Sequence, residues 1–275
     1  MSVSPRVRLG AVGYLNARPL VYGLDVVPRF DVRYDLPSEC ARLLHARDID
    51  VGLIPSIEYL RGGPYRIVPD LAIISRGPVA SVALYTTRPM KDVRSIAMDT
   101  SSRTSVALVG VLCARLFRIE PVFESRGPDL ADMLRHCDAA LIIGDNALLL
   151  DHTRAQDTGQ RAAVEKIDLG DAWTTMTGLS FVYAFWAGRP DALNAIDVEA
   201  LQRARNAGVT QPSAIARQYF PDSPAHQAVG ARYLQDNIKY YLRDEDRAGL
   251  EAFYRYAAEA GLVPSAGSLQ FYDVD

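Results

Sequence analysis

The segment Asp99-Thr100-Ser101-Ser102-Arg103-Thr104-Ser105 stands immediately before an apolar stretch with helical spacing. Hydroxyls, the unpaired N–H groups of a helix start and one guanidinium are the parts from which a carboxylate or phosphate site is built. The competing reading is an ordinary N-cap by Ser101 or Ser102 with Arg103 in solvent. No Lys and no Gly-rich phosphate loop accompany the segment, so nucleotide binding is not expected. Asn16 follows a strand-like run beside Gly13 and Tyr14. Its amide offers both a donor and an acceptor to a substrate, although Asn in such a place also simply supports a turn. Ser56 after Pro55 and Ser81 in an apolar run are further hydroxyl candidates, and either can instead satisfy local backbone groups. Asp145 closes the run Leu141-Ile142-Ile143 and can position a hydroxyl, accept a proton or cap the next turn. Tyr14, Trp173, Tyr183 and Trp186 are candidates for the wall of a ring-binding pocket, or core residues.

The elements that must hold these residues follow from periodicity. Val7–Val12 reads as a first strand, with Pro19 expected in the first turn of a helix. Strands are expected around 31–34 and 50–54, with an amphipathic helix from Pro37 between them. Further strands are expected at 67–68, 71–74, 79–85, 96–98, 121–123, 139–143 and 181–187, and a helix over 106–117. The stretch 149–166 reads as a polar loop. After Pro190 the pattern becomes helical over roughly 196–207, 211–219, 223–242 and 245–260. The alternation is that of an α/β protein. Two lobes are expected, one from residues 1–86 and 184–275 and one inserted at 87–183, with crossings near 83–85 and 182–184 and a cleft between the lobes.

Composition narrows the partners. The chain has 275 residues, 49% of them hydrophobic and 23% charged, with a net charge of -3. That is an ordinary folded composition. Basic residues alternate with acidic ones, which argues against a nucleic-acid partner. No apolar run is long enough to span a bilayer, and the opening residues carry no export signal, so a cytoplasmic protein is expected. Cys40, Cys113 and Cys137 are too scattered for a disulfide framework and read as buried thiols. His45, His136, His152 and His226 lie far apart, and no metal, dinucleotide or serine-hydrolase motif is present, so neither metal nor cofactor is expected.

Five blocks carry a resemblance: GAVGYLNARPL at 10–20, DVGLIPSIEY at 50–59, MDTSSRTSVAL at 98–108, ALIIGDNAL at 140–148 and DLGDAWTTMTGLSFVYAFWA at 168–187. Together they resemble the menaquinone-biosynthesis protein family that includes the chorismate dehydratases of the futalosine route. The resemblance implies a two-lobed periplasmic-binding-protein-like (type II) fold with a central cleft, used as a cytoplasmic lyase. It implies a dicarboxylate, chorismate, as the small-molecule partner. The expected site has Asn16 and Asp145 at the reacting centre, with Asp145 near the leaving hydroxyl. Ser102, Arg103, Thr104 and Ser105 form the expected carboxylate clamp, and Tyr14, Ser56, Ser81 and Tyr183 complete the frame. No side chain in these blocks is an obvious base, so a substrate carboxylate is the expected proton acceptor. A dihydroxynaphthoate synthase-like enzyme and a binding-only carboxylate receptor are the alternatives. Monomer and homodimer are both compatible with the sequence.

Overall fold

Val7–Val12 (β1) is buried at every position but one, as expected of a parallel strand covered on both faces. In the computed structural model, which describes residues 6–152 and 163–273, β1 pairs in parallel with Phe30–Asp35 (β2) and Val51–Pro55 (β3). Between them, Pro37–His45 (α1) opens on a proline, whose fixed φ suits a first helical turn. The first sheet is completed by Arg66–Ile67 (β4), Ile73–Ser75 (β5) and a strand from much later in the chain, Phe181–Gly188 (β11). All eight residues of β11 are buried, and it runs antiparallel to β3, β4 and β5.

The second sheet has the order β10-β6-β9-β7-β8. Its strands are Val82–Thr86 (β6), Ser95–Met98 (β7), Val122–Ser125 (β8), Ala139–Ile143 (β9) and Glu165–Asp168 (β10). Helices Arg103–Leu112 (α2), Leu130–His136 (α3), Gly144–Leu149 (α4) and Leu169–Thr177 (α5) connect or follow these strands. The C-terminal part adds Ala195–Gly208 (α6), Pro212–Tyr219 (α7), Pro224–Arg232 (α8) and Asp244–Glu259 (α9). One aromatic cluster in the core packs Trp173 against Phe181 and Phe253, with ring centroids 5.2 and 6.0 Å apart. Trp186 is fully buried as well. Neither tryptophan walls a ligand cavity.

Several expectations shift by a few residues, each for a local reason. Residues 83–85 and 182–184 lie inside β6 and β11, so the chain changes sheets within 76–81 and 169–180. Asp168 ties these crossings together by accepting from the N–H groups of Val79, Ala80 and Gly170 at 3.0, 2.7 and 2.9 Å. Pro19 sits inside the 3₁₀ segment Leu15–Val21, not in a first α-turn. The expected loop 149–166 ends in β10, which the antiparallel pairing with β6 draws into extended form; residues 153–162 lie outside the described residues. The helix expected over 223–242 stops early. After α8 the chain makes a π-helical segment, Tyr233–Asn237, then extends so that Lys239 exchanges backbone hydrogen bonds with Ile74. The three cysteines are free and buried. No helix among the described residues is long and apolar enough to cross a membrane.

Candidate active site

The ends of β1, β3 and β11, the crossing 76–81 and the start of α2 surround a cavity. Its polar lining comes from Tyr14, Asn16, Ser81, Ser102, Ser105 and Tyr183, and its apolar lining includes Val12, Ile73, Val79 and Ile143. Among the described residues that line it, none is charged. At one wall, no side chain caps α2, leaving first-turn N–H groups without an intrahelical acceptor. Ser105 donates to Ser102 Oγ at 3.1 Å, which frees the Ser102 proton for another acceptor. Tyr183 meets Ser75 Oγ at 3.1 Å, and burial pushes its phenol well above the usual tyrosine range.

Asn16 occupies the opposite wall in the 3₁₀ segment. Tyr240 donates to its backbone carbonyl at 2.9 Å, while its side-chain Oδ1 is buried with no partner among the described residues. A buried amide oxygen in this condition is costly unless a ligand completes it. The segment is capped from across the cavity: the Leu15 N–H donates to Asp145 Oδ1 at 3.1 Å, and Tyr219 donates to Asp145 Oδ2. Burial raises the Asp145 carboxyl above its ordinary value, against the opposing pull of Tyr219, Leu15 N–H and Arg18. Further bonds join the two sides. Ser38 N–H donates to the Ser101 carbonyl at 3.0 Å, and Tyr14 O–H donates to Ser101 Oγ at 3.2 Å.

Residues 7–259 match the protein family described as Menaquinone biosynthesis. The chain belongs to that family. A relative in Thermus thermophilus, named chorismate dehydratase, is 31% identical over 272 residues, which is 94% of this chain and 96% of the relative. Among solved structures, a protein from Archaeoglobus fulgidus superposes with a TM-score of 0.72 at 17% identity, covering 95% of this chain and 100% of that one. The alkanesulfonate-binding protein SsuA from Xanthomonas axonopodis pv. citri, bound to MOPS, gives 0.66 at 15% identity and 96% of both chains. A Candida albicans gene product described as having the generic periplasmic binding protein fold gives 0.65 at 12% identity and 98% of both chains. The fold is therefore periplasmic-binding-protein-like, as the sequence blocks implied.

In this member of the menaquinone-biosynthesis family, the expected site residues separate into two groups. Tyr14, Asn16, Ser81, Ser102, Ser105 and Tyr183 meet at the cavity. Arg103 is not among the residues that line the cavity: it pairs with buried Glu58 at 3.0 Å, which Arg61 and His45 also contact. Thr104 and Ser56 are buried links between α2 and the end of β3. Ser56 donates to the Val182 carbonyl at 2.8 Å, and Thr104 Oγ1 accepts from Ile57 N–H at 3.1 Å. Asp145 is engaged by Leu15 and Tyr219 and caps the Asn16 turn, instead of standing free in the cavity. Glu58, Tyr219, Tyr240 and Tyr233, whose hydroxyl lies 2.7 Å from Ser81 Oγ, were not singled out from sequence. Three are tyrosines in regions whose apolar pattern reads as core, and nothing in their spacing distinguishes a buried phenol that bonds from one that only packs.

Proposed function

We propose that this protein is a chorismate dehydratase, a hydro-lyase that converts chorismate to 3-[(1-carboxyvinyl)oxy]benzoate and water in menaquinone biosynthesis. The observation that carries the proposal is the 31% identity to a chorismate dehydratase over nearly the full length of both chains. The cavity chemistry supports it: hydroxyl groups and a helix start suit carboxylates, the apolar walls suit a ring, and Asn16 Oδ1 suits a hydroxyl donor.

In the proposed reaction, the C–H bond at the ring carbon bearing the enolpyruvyl ether breaks. Its electron pair spreads toward the ring carboxylate, the C–O bond to the ring hydroxyl breaks, and the hydroxyl leaves as water. Aromatisation supplies the thermodynamic drive, so the protein's task is orientation and stabilisation of developing charge. A substrate carboxylate takes the C–H proton and passes it to the departing hydroxyl oxygen, so that the two leave together as one water. An uncharged cavity favours that role, because a desolvated carboxylate without a cationic partner is a stronger base than one in water. Ser102, Ser105 and the start of α2 hold one carboxylate, and Ser81 and Tyr183 serve as neutral hydrogen-bonding groups. Asn16 fixes the reacting geometry, with Asp145 holding its turn. The proposed partner is the dicarboxylate alone, without metal or other cofactor, and the proposed location is the cytoplasm.

Purified, metal-stripped protein incubated with chorismate and followed by mass-resolved product analysis tests the proposal. Protein-dependent loss of one water to give the enolpyruvyl benzoate is expected. Chorismate recovered intact while bound would establish a receptor without turnover.

A further inference from the structure

Among the described residues, four other than glycine adopt a positive φ, and one of them, Ala80 at +64°, stands between two residues that line the cavity, Val79 and Ser81. A Cβ makes this left-handed conformation costly, so it persists only where the surroundings impose it. Two side chains of β10 do so. Asp168 Oδ2 accepts from the Ala80 N–H at 2.7 Å, and Lys166 Nζ donates to the Ala80 carbonyl at 3.2 Å. We propose that Lys166 and Asp168 are positioning residues for the reaction: they lock Ala80 in its left-handed conformation and so place the Ser81 hydroxyl at the cavity wall.

The two bonds reach different peptide groups. The Ala80 N–H belongs to the planar unit shared with Val79, and the Ala80 carbonyl to the unit shared with Ser81. Holding both planes fixes the φ and ψ between them, and with these the direction in which Ser81 leaves the corner. Strand geometry supplies the grip, because residues two apart in a strand point to one side. Asp168 also accepts from the Val79 N–H at 3.0 Å, so its carboxylate holds two successive N–H groups of the corner in charge-assisted bonds. Burial lowers the Lys166 ammonium below its ordinary value, with Asp168 opposing, and a desolvated cation needs such partners. Beyond the corner the chain is pinned again, since the Ser81 carbonyl accepts from the Gly144 N–H at 2.8 Å. On the chorismate reading, on which this inference rests, Ser81 hydrogen-bonds an oxygen of the substrate, and an error in its direction is felt in the rate.

Double-mutant cycles on chorismate turnover, run well below each variant's melting temperature, separate positioning from mere support of the fold. Asp168→Asn should lower kcat/KM by about tenfold and Lys166→Met by about fivefold, the scale of a hydrogen bond to a charged group. Glycine adopts positive φ without a Cβ to clash, so in an Ala80→Gly background the same substitutions should each cost less than about twofold. In a Ser81→Ala background, where no hydroxyl remains to be aimed, each should again cost less than about twofold. Asp168 also caps α5 through the N–H groups of Gly170 and Asp171, so Lys166→Met carries the test by itself if Asp168→Asn does not fold. Equal losses in all three backgrounds, with the wild type dehydrating chorismate, overturn this inference alone. A wild type that leaves chorismate intact overturns the functional reading and this inference with it.

Discussion

In the proposed reaction, Asn16 puts a neutral amide where proton-transfer sites more often carry an imidazole or carboxylate. An amide neither gains nor loses a proton near neutral pH, so its proposed contribution is orientation and hydrogen bonding. Asn16→Ala is therefore expected to lower turnover by about 10²-fold or more, the cost of losing one well-aimed polar group, with thermal stability nearly unchanged. Rate measurement alongside a thermal melt checks both parts. Glu58 plays a different part at the same scale. Burial alone would raise its carboxyl, but His45, Arg61 and Arg103 offset this and hold it below its ordinary 4.5. A depressed carboxylate stabilises the fold above its unfolded pKa and loses that contribution as pH falls through the lower folded value. Glu58→Gln should lower stability at neutral pH by about 1 kcal/mol, because it removes the buried carboxylate that the part-exposed Arg61 and Arg103 guanidinium groups pair with. It should also flatten the acid limb below about pH 4.5, which melts across pH would record.

Gly144 opens α4 with φ +65°, a left-handed conformation that other residues adopt at a cost. A Cβ there would lie 2.8 Å from the Tyr14 ring. Gly144→Ala should displace Tyr14 from the cavity and raise KM by about tenfold, with a stability loss of about 1 kcal/mol from the backbone. Michaelis kinetics and chemical denaturation separate the two effects. Helical geometry also explains how the serine-rich block divided. Successive helix residues point about 100° apart, while i and i+3 share a face. Ser102 and Ser105 therefore reach the cavity together, whereas Arg103 and Thr104 between them meet Glu58 and the β3 end. The block was legible as the start of a helix, but its four side chains could be sorted only once something packed beside it.

Across the whole molecule, Asp145 connects α4, beside the second sheet, to the turn that follows β1 of the first. Its carboxyl is raised by burial more than Tyr219, the Leu15 N–H and Arg18 lower it. Ionisation is thus less favoured in the folded state than in the unfolded chain, and stability falls as pH rises from the unfolded pKa through the folded one. Asp145→Asn, which keeps an acceptor for Leu15, should be at least as stable as the wild type at neutral pH and should lose this part of the pH dependence. A variant much less stable at pH 7 would show that the charge itself holds the two sides together. Melts of both proteins across the acid-to-neutral range decide between these outcomes.

The sequence by itself determined the α/β class, most strands, the family and six of the cavity residues. Those features live in short-range periodicity and in blocks such as GYLNARPL, where neighbouring residues specify a local shape. Tertiary structure alone decided that β11 enters the middle of the first sheet, that Arg103 serves Glu58, and that Tyr219 and Tyr240 support Asp145 and Asn16. Each depends on a contact between residues 45 to 224 positions apart. The direction of a side chain at such a distance is set by what packs against it, and no local pattern encodes that.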